Sequence, residues 1–326
     1  MLISLVFLVT LGAAFDTPFY IDNDEYFIRS DNLLSVPMEN VTAAFKTPYS
    51  VQSTPIDGFD WTKSYPGSRI DGHTAYLEVS QEMPISESIV QNATTVLSAL
   101  TFSIPESMSS GKQPRAMDSS WYICHHIFIS TKPEVKSAVD SGQNCDFLSE
   151  ECQNDLRTSL TKDWGTAAED TMCSALGFDA IPMSCHDSFG YARQDVNAFD
   201  AEYLANTTLA PIMTDKEPSL YDWYIGTGYH DPGDVRAYTA ATNRTYLVGT
   251  VWGYSKTSKN TQVPEVTFSC LSATNSSTTS TTTESSSPTA DSTPSSTPNS
   301  SDDTYPMSSY AAVLAASLLS LMFILF

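Results

Sequence analysis

The stretch WYICHHIFI, residues 121–129, predicts the central strand of the fold. Its residues are nearly all aromatic, β-branched or otherwise apolar, which is typical of a strand covered on both faces. It also carries Cys124, the first of six cysteines, so it opens the region that disulfide bonds would hold together. We therefore expect the core of the protein to be built around this strand.

Two helices are predicted after this strand. The segment DFLSEECQNDLRTSLTK begins at a capping residue, Asp146, and spaces apolar residues four apart along one helical face. The segment TAAEDTMCSALG has Thr166 and Glu169 in the capping-box relation and ends at Gly177. Each segment presents one apolar face, as a helix packed on a core does.

Strands are predicted again towards the end of the cysteine-bearing region. The segment VRAYTAATNRTYLVGTVWGY, residues 235–254, predicts two strands joined by a turn at Asn243, and EVTFSC, residues 265–270, predicts a closing strand. One strand, two helices and a run of strands predict an α+β fold over residues 118–271. We expect a small disulfide-stapled domain with a central antiparallel sheet and two to three helices.

The cysteines predict three disulfides, because an even number in a secreted chain pairs, although fifteen pairings are possible. Zinc binding is the alternative, but the spacings contain no paired C-x-x-C or C-x-x-H arrangement. We therefore predict no metal and no cofactor, and we expect one bridge to join the first and last strands through Cys124 and Cys270. The six residues are Cys124, Cys145, Cys152, Cys173, Cys185 and Cys270.

Residues 15–117 contain no cysteine and predict a less regular N-terminal region. The segment DGHTAYLEVSQ, residues 71–81, has the period of a strand, and residues 86–100 predict a helix. Residues 107–120 have the composition of a linker. The pattern leaves open whether this region forms a domain or an irregular arm laid across the next one.

Both ends of the chain carry targeting patterns. Residues 1–14 are an apolar run that ends in small residues, which predicts a signal peptide. Residues 302–326 form a polar spacer and an apolar tail, which predicts a glycosylphosphatidylinositol (GPI) signal that is removed on maturation, with Asn299 as the attachment residue. A retained membrane span is the alternative, but the tail would be only about 24 Å long as a helix. No basic residue follows Lys259.

Residues 272–301 consist mainly of Ser and Thr, which predicts a disordered, O-glycosylated stalk. Asn-x-Ser/Thr sequons predict N-glycosylation on surface segments. The acceptors are Asn40, Asn92, Asn206, Asn243 and Asn275. These patterns together predict a glycoprotein on the outer face of the plasma membrane, with transfer to the cell wall as a further step.

The charge of the chain restricts its partners. Sixteen Lys and Arg against 38 Asp and Glu give a formal net charge of −22. Such a surface repels phosphate backbones, so nucleic acid is excluded as a partner. It also repels anionic lipid, which leaves the covalent lipid anchor as the expected contact with the membrane.

The cysteine pattern is similar to that of a family of secreted fungal proteins with a domain of unknown function. Trp121 and Cys124, the next three cysteines, PMSC at residues 182–185 and the following Phe189-Gly190 carry the resemblance, which covers residues 118–200. It implies a secretion signal, a Ser/Thr-rich tail with a GPI signal and a fungal cell surface. It implies no activity.

No catalytic constellation is evident. His125 and His126 are neighbours in a strand and face opposite ways, so they cannot converge on one metal, and we interpret them as structural. His186-Asp187 and His230-Asp231 would suit a general base, but this pair is also common in turns. The chain contains no G-x-S-x-G, H-E-x-x-H or P-loop motif.

Aromatic residues supply a candidate binding site. Tyr221, Asp222, Trp223 and Tyr224 place rings beside a polar group, and sugar rings stack on exposed aromatic faces while carboxylates accept from their hydroxyls. The alternative is that these are core residues. The same uncertainty applies to Trp252, which we interpret as a core residue within a strand.

Two functions fit these patterns. The first is a non-enzymatic wall glycoprotein, structural or binding carbohydrate or another partner. The second is a glycan hydrolase or transferase that remodels the cell wall, because the carboxylate pair it needs leaves no local motif. The absence of catalytic motifs favours the first.

Overall fold

Two four-stranded antiparallel sheets, packed face to face, form the body of the protein in this computed structural model. The structure describes residues 19–22, 25–28, 34–87, 90–111, 113–162, 164–165, 172–173, 181–190, 193–206 and 219–274. The expected signal peptide and GPI signal, nearly all of the stalk and most of the helix expected at residues 166–177 lie outside these ranges. The described part of the chain has a mixed α+β fold dominated by sheet.

The first sheet has the strand order β12-β11-β14-β15. Its central strand β11 is the stretch that opens the cysteine-bearing region, and all ten of its residues are buried, which confirms the predicted strand. The four strands are β11 (Trp121–Ser130), β12 (Arg193–Asp200), β14 (Thr245–Tyr254) and β15 (Glu265–Ser272).

The second sheet has the order β13-β8-β5-β4. Its strands are β4 (Ser50–Phe59), β5 (Arg69–Val79), β8 (Leu97–Ser103) and β13 (Ser219–Gly226). Strand β5 confirms the strand predicted at residues 71–81. Three short sheets complete the strands: β1 (Phe19–Asp22) with β2 (Glu25–Ile28) and β3 (Leu34–Pro37), β6 (Met83–Pro84) with β7 (Thr94–Thr95), and β9 (Ser109–Ser110) with β10 (Gln113–Pro114).

Helices cover the ends and outer faces of the sheets. The described residues form α1 (Met38–Ala44), α2 (Pro133–Asp140), α3 (Glu150–Thr161), α4 (Ala201–Asn206), α5 (Arg236–Thr242) and 3₁₀ turns at Glu106–Met108 and Met183–Cys185. Helix α3 confirms the first predicted helix but begins later. Its cap is Ser149, whose hydroxyl accepts from the Cys152 amide at 3.1 Å.

The main core lies between the two sheets. Leu77, Leu100 and Trp223 of the second sheet pack against Val248 and Trp252 of the first. Along one edge the sheets are joined by side-chain hydrogen bonds from β15 to carbonyls of β4. Thr267 Oγ1 donates to Asp57 O at 3.1 Å, and Ser269 Oγ donates to Pro55 O at 2.9 Å. The sandwich is therefore closed on the side where β15 faces β4.

Two further layers cover the outer faces of the sheets. On the first sheet, α2, α3 and all six cysteines form a second cluster. On the second sheet, β2, β3 and α1 form a third cluster in which Ile28, Val36 and Phe45 pack on Ala99 and Tyr224. Because both faces of the first sheet are covered, its central strands β11 and β14 carry nearly continuous apolar runs.

The expected boundary between residues 15–117 and residues 118–271 does not separate two domains. Strand β13 pairs with β8, with Trp223 opposite Leu100, and β8 pairs with β5, so strands from both sides of the boundary build one sheet. All described residues belong to one unit that covers Met1–Thr279. The described part of the N-terminal region is therefore neither a separate domain nor an arm, because it supplies three strands of the second sheet.

The number of disulfides is confirmed, but the expected Cys124–Cys270 bridge is wrong. Across β14, Cys124 of β11 lies opposite Val266 of β15, so Cys270 is two strand spacings and four residues away, roughly 16 Å, whereas a disulfide needs Cα atoms within about 7 Å. The bridges are Cys124–Cys173, Cys145–Cys270 and Cys152–Cys185. Two of them link strands of the first sheet to the segments that cover it.

Two predicted elements are corrected. Of the segment at residues 86–100, the described residues 94–95 and 97–100 form β7 and the start of β8 instead of a helix, and Asn92 has a positive φ of 52°. Residues 236–242 form helix α5 instead of a strand, with Ala237 and Ala241 one turn apart on its buried side. Both errors involve short apolar stretches, whose periodicity alone does not separate a buried strand from a helix.

Three buried histidines should make the protein less stable in mild acid. Burial lowers the pKa of His73 to about 4 and that of His125 and His126 to about 3. In the unfolded chain a histidine titrates near 6.5, so below that pH the unfolded state binds protons that the folded state does not. The unfolding free energy should therefore be highest above pH 6.5. Below that pH it should fall by up to about 1.4 kcal/mol per pH unit for each histidine.

Urea unfolding at pH 7.5, 6.0 and 5.0 measures this effect. In His125→Phe, which keeps an aromatic ring beside Phe102, the decrease between pH 6.0 and 5.0 should be smaller than in the wild type. Equal unfolding free energies at the three pH values would contradict the prediction.

Candidate functional site

The four residues predicted as a binding platform lie on β13 and alternate between the two faces of its sheet. Tyr221 and Trp223 face the core between the sheets, whereas Tyr224 packs in the layer that covers the second sheet. Trp223 is only 2% exposed and Tyr224 only 3%, while Tyr221 and Asp222 are half-buried. The platform predicted from Tyr221, Asp222, Trp223 and Tyr224 is therefore corrected, because its rings share no exposed face.

Tyr221 takes part in a partly buried polar contact. Its hydroxyl lies 2.6 Å from Nδ1 of His125, and its ring stacks on Phe102 at 4.8 Å. Burial raises the pKa of the Tyr221 hydroxyl well above its ordinary value, and a hydrogen bond with Asn197 opposes this shift. His125 and His126 lie on opposite faces of β11, as expected for neighbours in a strand, and both are fully buried.

A different group of aromatic residues surrounds a cavity at one end of the sandwich. This cavity, called the aromatic pocket below, has a volume of about 320 Å³. It opens where β11 and β15 begin and where β4 and β14 end. Its lining consists of Phe59, Tyr65, Pro66, Gly67, Trp121, Trp252, Gln262, Val263, Pro264 and Glu265.

The rings of the aromatic pocket hold one another in place. Phe59 packs against Trp252 at 5.7 Å and against Trp121 at 6.0 Å between ring centroids. Tyr65 meets Trp121 edge to face at 4.9 Å. Tilted and edge-to-face pairs at these distances are favourable for aromatic rings. All four rings are less than 9% exposed, so they form a fixed apolar floor of which only small parts face the opening of the pocket.

Two of these aromatic residues donate hydrogen bonds to backbone carbonyls of the loops around the pocket. The Trp121 indole N–H donates to Lys63 O at 2.6 Å, and the Tyr65 hydroxyl donates to Gln262 O at 3.0 Å. Burial raises the pKa of Tyr65 to about 12, and Tyr254 and Glu265 add to the increase. The hydroxyl thus stays protonated and tethers the loop at residues 255–264 to the loop at residues 60–68.

Two aspartates order the loop at residues 60–68. Asp60 accepts from the Thr62 amide at 3.1 Å, and Asp118 accepts from the Ser64 hydroxyl at 2.9 Å and from the Ser120 amide at 3.0 Å. Burial opposes ionisation of Asp60, but hydrogen bonds from Thr62 and Lys63 outweigh it and lower its pKa. Hydrogen bonds from Ser120 lower the pKa of Asp118. Both carboxylates therefore help to fix the pocket's outer loop.

An ion pair lies at the edge of the aromatic pocket, where Glu265 lines the pocket and Arg69 lines the depression next to it. Arg69 contacts the Glu265 carboxylate, and its guanidinium lies over the Phe59 ring at 5.3 Å from the centroid. Both side chains are accessible to solvent. A ligand in the pocket would therefore meet an apolar wall on one side and a donor and an acceptor on the other.

Gly67 is required where the loop passes the pocket. Its φ is +61°, and a Cβ there would lie 2.8 Å from the Asp60 carbonyl oxygen and 2.9 Å from the Trp121 ring. We expect Gly67→Ala to lower the unfolding free energy by about 2–4 kcal/mol, from the left-handed backbone and from the overlap. Gly111→Ala is the matched control, because Gly111 has φ +63° with nothing within 4 Å of a Cβ. Equal losses in the two variants by urea unfolding would contradict the role of the overlap.

Sequence reasoning missed the aromatic pocket. Trp121 and Trp252 were interpreted as strand residues, and Phe59 and Tyr65 lie in the region expected to be less regular. The available signal was the segment FDWTKSYPG, residues 59–67, in which three aromatic residues surround turn-forming residues. That signal indicates an ordered loop but does not reveal the partners of its rings.

The other two motifs lie outside the long strands and helices, and His230 forms an isolated β-bridge with Thr94. His230 follows β13, and its Nε2 lies 3.1 Å from both the carbonyl oxygen and the hydroxyl of Thr227. His186 and Asp187 follow the 3₁₀ turn that ends at Cys185. Among the described residues, no group of three or more His, Cys, Asp and Glu side chains is placed to hold a metal ion.

Comparison with known proteins finds no matching family model, no matching curated protein and no matching solved structure. The resemblance to the fungal family thus stays a prediction. Within the described ranges, no helix is long and apolar enough to cross a membrane.

Proposed function

We propose that this protein is a secreted, GPI-anchored glycoprotein of a fungal cell surface that binds cell-wall carbohydrate through the aromatic pocket. The observation that carries the proposal is one cavity lined by four aromatic side chains and Glu265, with the solvent-accessible Arg69 paired to Glu265 in the adjoining depression. Its volume of about 320 Å³ lies at the lower end of the range for ligand sites.

The chemistry of the pocket suits a sugar. Pyranose rings present apolar C–H faces to aromatic walls and hydroxyls to polar groups at the rim. A guanidinium only donates hydrogen bonds and a carboxylate only accepts them, so Arg69 and Glu265 together can serve a hydroxyl-bearing ring in both ways. The mixed surface favours a carbohydrate over a wholly apolar ligand.

Exposed sequons support passage through the secretory pathway. Asn92, Asn206 and Asn243 are all exposed, the last at the end of helix α5. Asn40 is half-buried, and its side-chain amide donates to Pro84 O at 3.1 Å. We expect full glycosylation at the first three sites and less at Asn40, measured by peptide mass spectrometry before and after removal of N-glycans. Full occupancy of Asn40 with empty exposed sites would contradict this order.

The test of binding uses the full chain produced in animal cells, which lack chitin and β-glucan walls. Release from the cell surface by a phosphatidylinositol-specific phospholipase C would support the anchor. The released protein is titrated with soluble oligomers of β-glucan and of N-acetylglucosamine by calorimetry. We expect Arg69→Ala with Glu265→Ala to weaken binding roughly tenfold, because hydrogen bonds to charged groups contribute about 1.5–3 kcal/mol.

A matched pair controls for the loss of charge. Arg236→Ala with Asp234→Ala removes another arginine–carboxylate pair, in which the side chains are 82% and 13% exposed and neither lines the aromatic pocket or the depression next to it. This variant should bind as the wild type does. No binding by the wild type to any oligomer would remove the carbohydrate proposal.

One observation favours the alternative of a glycan hydrolase or transferase. Three carboxylates, Asp57, Asp146 and Glu265, line one depression next to the aromatic pocket. Glycoside hydrolysis needs two such groups on opposite sides of the scissile bond. Mass spectrometry of the same mixtures tests this activity. If shortened or lengthened oligomers form with the wild type and not with Asp146→Asn, the protein is a catalyst and the proposal of simple binding is wrong.

A further inference from the structure

Three depressions follow one another along the closed edge of the sandwich. The aromatic pocket meets a second depression of about 340 Å³ at Glu265, which lines both. The second depression meets a third, of about 230 Å³, at Asn144. Residues of β15 contribute to all three. The aromatic pocket is therefore one end of a longer feature, which we call the edge groove.

The length of the edge groove is set by β15. This strand has eight residues, from Glu265 to Ser272, and at about 3.3 Å per residue it extends roughly 25 Å. A single sugar occupies only one of the depressions. A ligand that contacted the whole groove would need several sugar units in a linear chain.

The walls of the second depression carry charges of both signs. Asp57 and Asp146 lie there with Glu265, opposite in charge to Arg69 and Arg157. Arg157 lies over the Phe268 ring at 5.0 Å from the centroid. An anionic chain would be repelled by three carboxylates on a protein of net charge −22. A cationic chain would be attracted by these carboxylates but repelled by the two guanidinium groups beside them, so neither charge matches the whole depression. Hydroxyls of an uncharged chain can use the donors and the acceptors alike.

The third depression is polar and carries little net charge. Its lining includes Gln52, Ser53, Thr54 and Asn144, together with Asp140, which is already paired with Lys136 at 2.7 Å. Side-chain amides and hydroxyls both donate and accept hydrogen bonds. The third depression, like the second, therefore offers both hydrogen-bond donors and acceptors to a ligand that extends from the aromatic pocket.

We propose that the edge groove binds a linear, uncharged polysaccharide along β15, with one sugar unit in the aromatic pocket and further units beside Arg157 and Asn144. This inference rests on the proposed function and adds the class of ligand: a chain of several units, without acidic or amino groups.

The test compares ligand lengths and charges on the full chain. Calorimetric titrations use the uncharged oligomers of β-glucan and of N-acetylglucosamine at two and six units, and six-unit oligomers of galacturonate and of glucosamine, in 150 mM salt. We expect an uncharged six-unit oligomer to bind at least tenfold more tightly than its two-unit counterpart. It should also bind more tightly than either charged oligomer.

Substitutions in the second depression separate the groove from the pocket. Asp146→Asn with Arg157→Gln should weaken binding of the six-unit oligomer at least threefold and leave the two-unit oligomer unchanged. Glu151→Gln is the control, because Glu151 is an exposed acid on the same helix as Arg157 that lines none of the three depressions.

The outcomes distinguish the two proposals. Binding that is independent of oligomer length, or unaffected by the groove substitutions, would overturn the groove and leave the pocket as the carbohydrate site. Tighter binding of a charged oligomer would also overturn it. Absence of binding to every oligomer would overturn both proposals together.

Discussion

Replacing Cys145 and Cys270 together by serine should lower the unfolding free energy by about 3–5 kcal/mol, because their disulfide restricts the unfolded chain over a long loop. The two cysteines are 125 residues apart in the sequence. The bridge also joins β15 to the segment between α2 and α3, so its loss frees the strand that carries the edge groove. Urea unfolding under non-reducing conditions measures the effect.

The Cys152–Cys185 bridge supplies the matched control. Its cysteines are 33 residues apart, so the loop-entropy argument predicts that the double serine variant of this bridge loses about 1 kcal/mol less. Both bridges lie in the same cluster on the outer face of the first sheet. A larger loss at Cys152–Cys185 would show that local packing outweighs loop length here.

Trp223→Ala should destabilise the protein by about 3–5 kcal/mol, since it leaves a cavity between the two sheets. The Trp223 ring packs edge to face on Tyr246 at 6.0 Å and is almost fully buried. If Trp223 were an exposed sugar-stacking residue, the variant would keep its stability and lose only binding. Thermal or urea unfolding therefore shows whether Trp223 is a core residue or an exposed sugar-binding residue.

Phenylalanine variants refine this prediction. The Trp223 indole N–H has no hydrogen-bond partner among the described residues, whereas the Trp252 indole donates to Thr267 Oγ1 at 3.1 Å. Trp223→Phe removes a buried N–H donor that makes no hydrogen bond to the described residues, whereas Trp252→Phe removes an N–H donor together with its hydrogen bond to Thr267. We expect Trp252→Phe to cost about 1 kcal/mol more than Trp223→Phe. Equal losses would contradict the assigned hydrogen bond.

Elements with strong local patterns were predicted correctly. Strand β11 follows from an unbroken apolar run, β5 from period-two alternation, and α3 from apolar residues four apart. The short apolar segment at residues 236–242 was assigned to the wrong element. Its two buried alanines fit a helix or a strand equally well until their neighbours are known.

The disulfide pairing could not be predicted in the same way. The even number of cysteines indicates three bridges, but the pairing depends on which strands are adjacent. Because β14 separates β11 from β15, Cys124 is out of reach of Cys270. Strand order is a property of the assembled sheet, and no local pattern around either cysteine contains it.

The sequence alone determined the properties that depend on composition and on near neighbours: the acidic surface, the paired cysteines, the buried central strand and the expected targeting signals. Only the tertiary structure decided where a ligand could bind. Phe59, Trp121 and Trp252 are far apart in the chain, and they meet because the ends of β4, β11 and β14 lie at the same end of the sandwich. A pocket made by long-range packing leaves no pattern in any one segment, since each ring reads locally as a core residue.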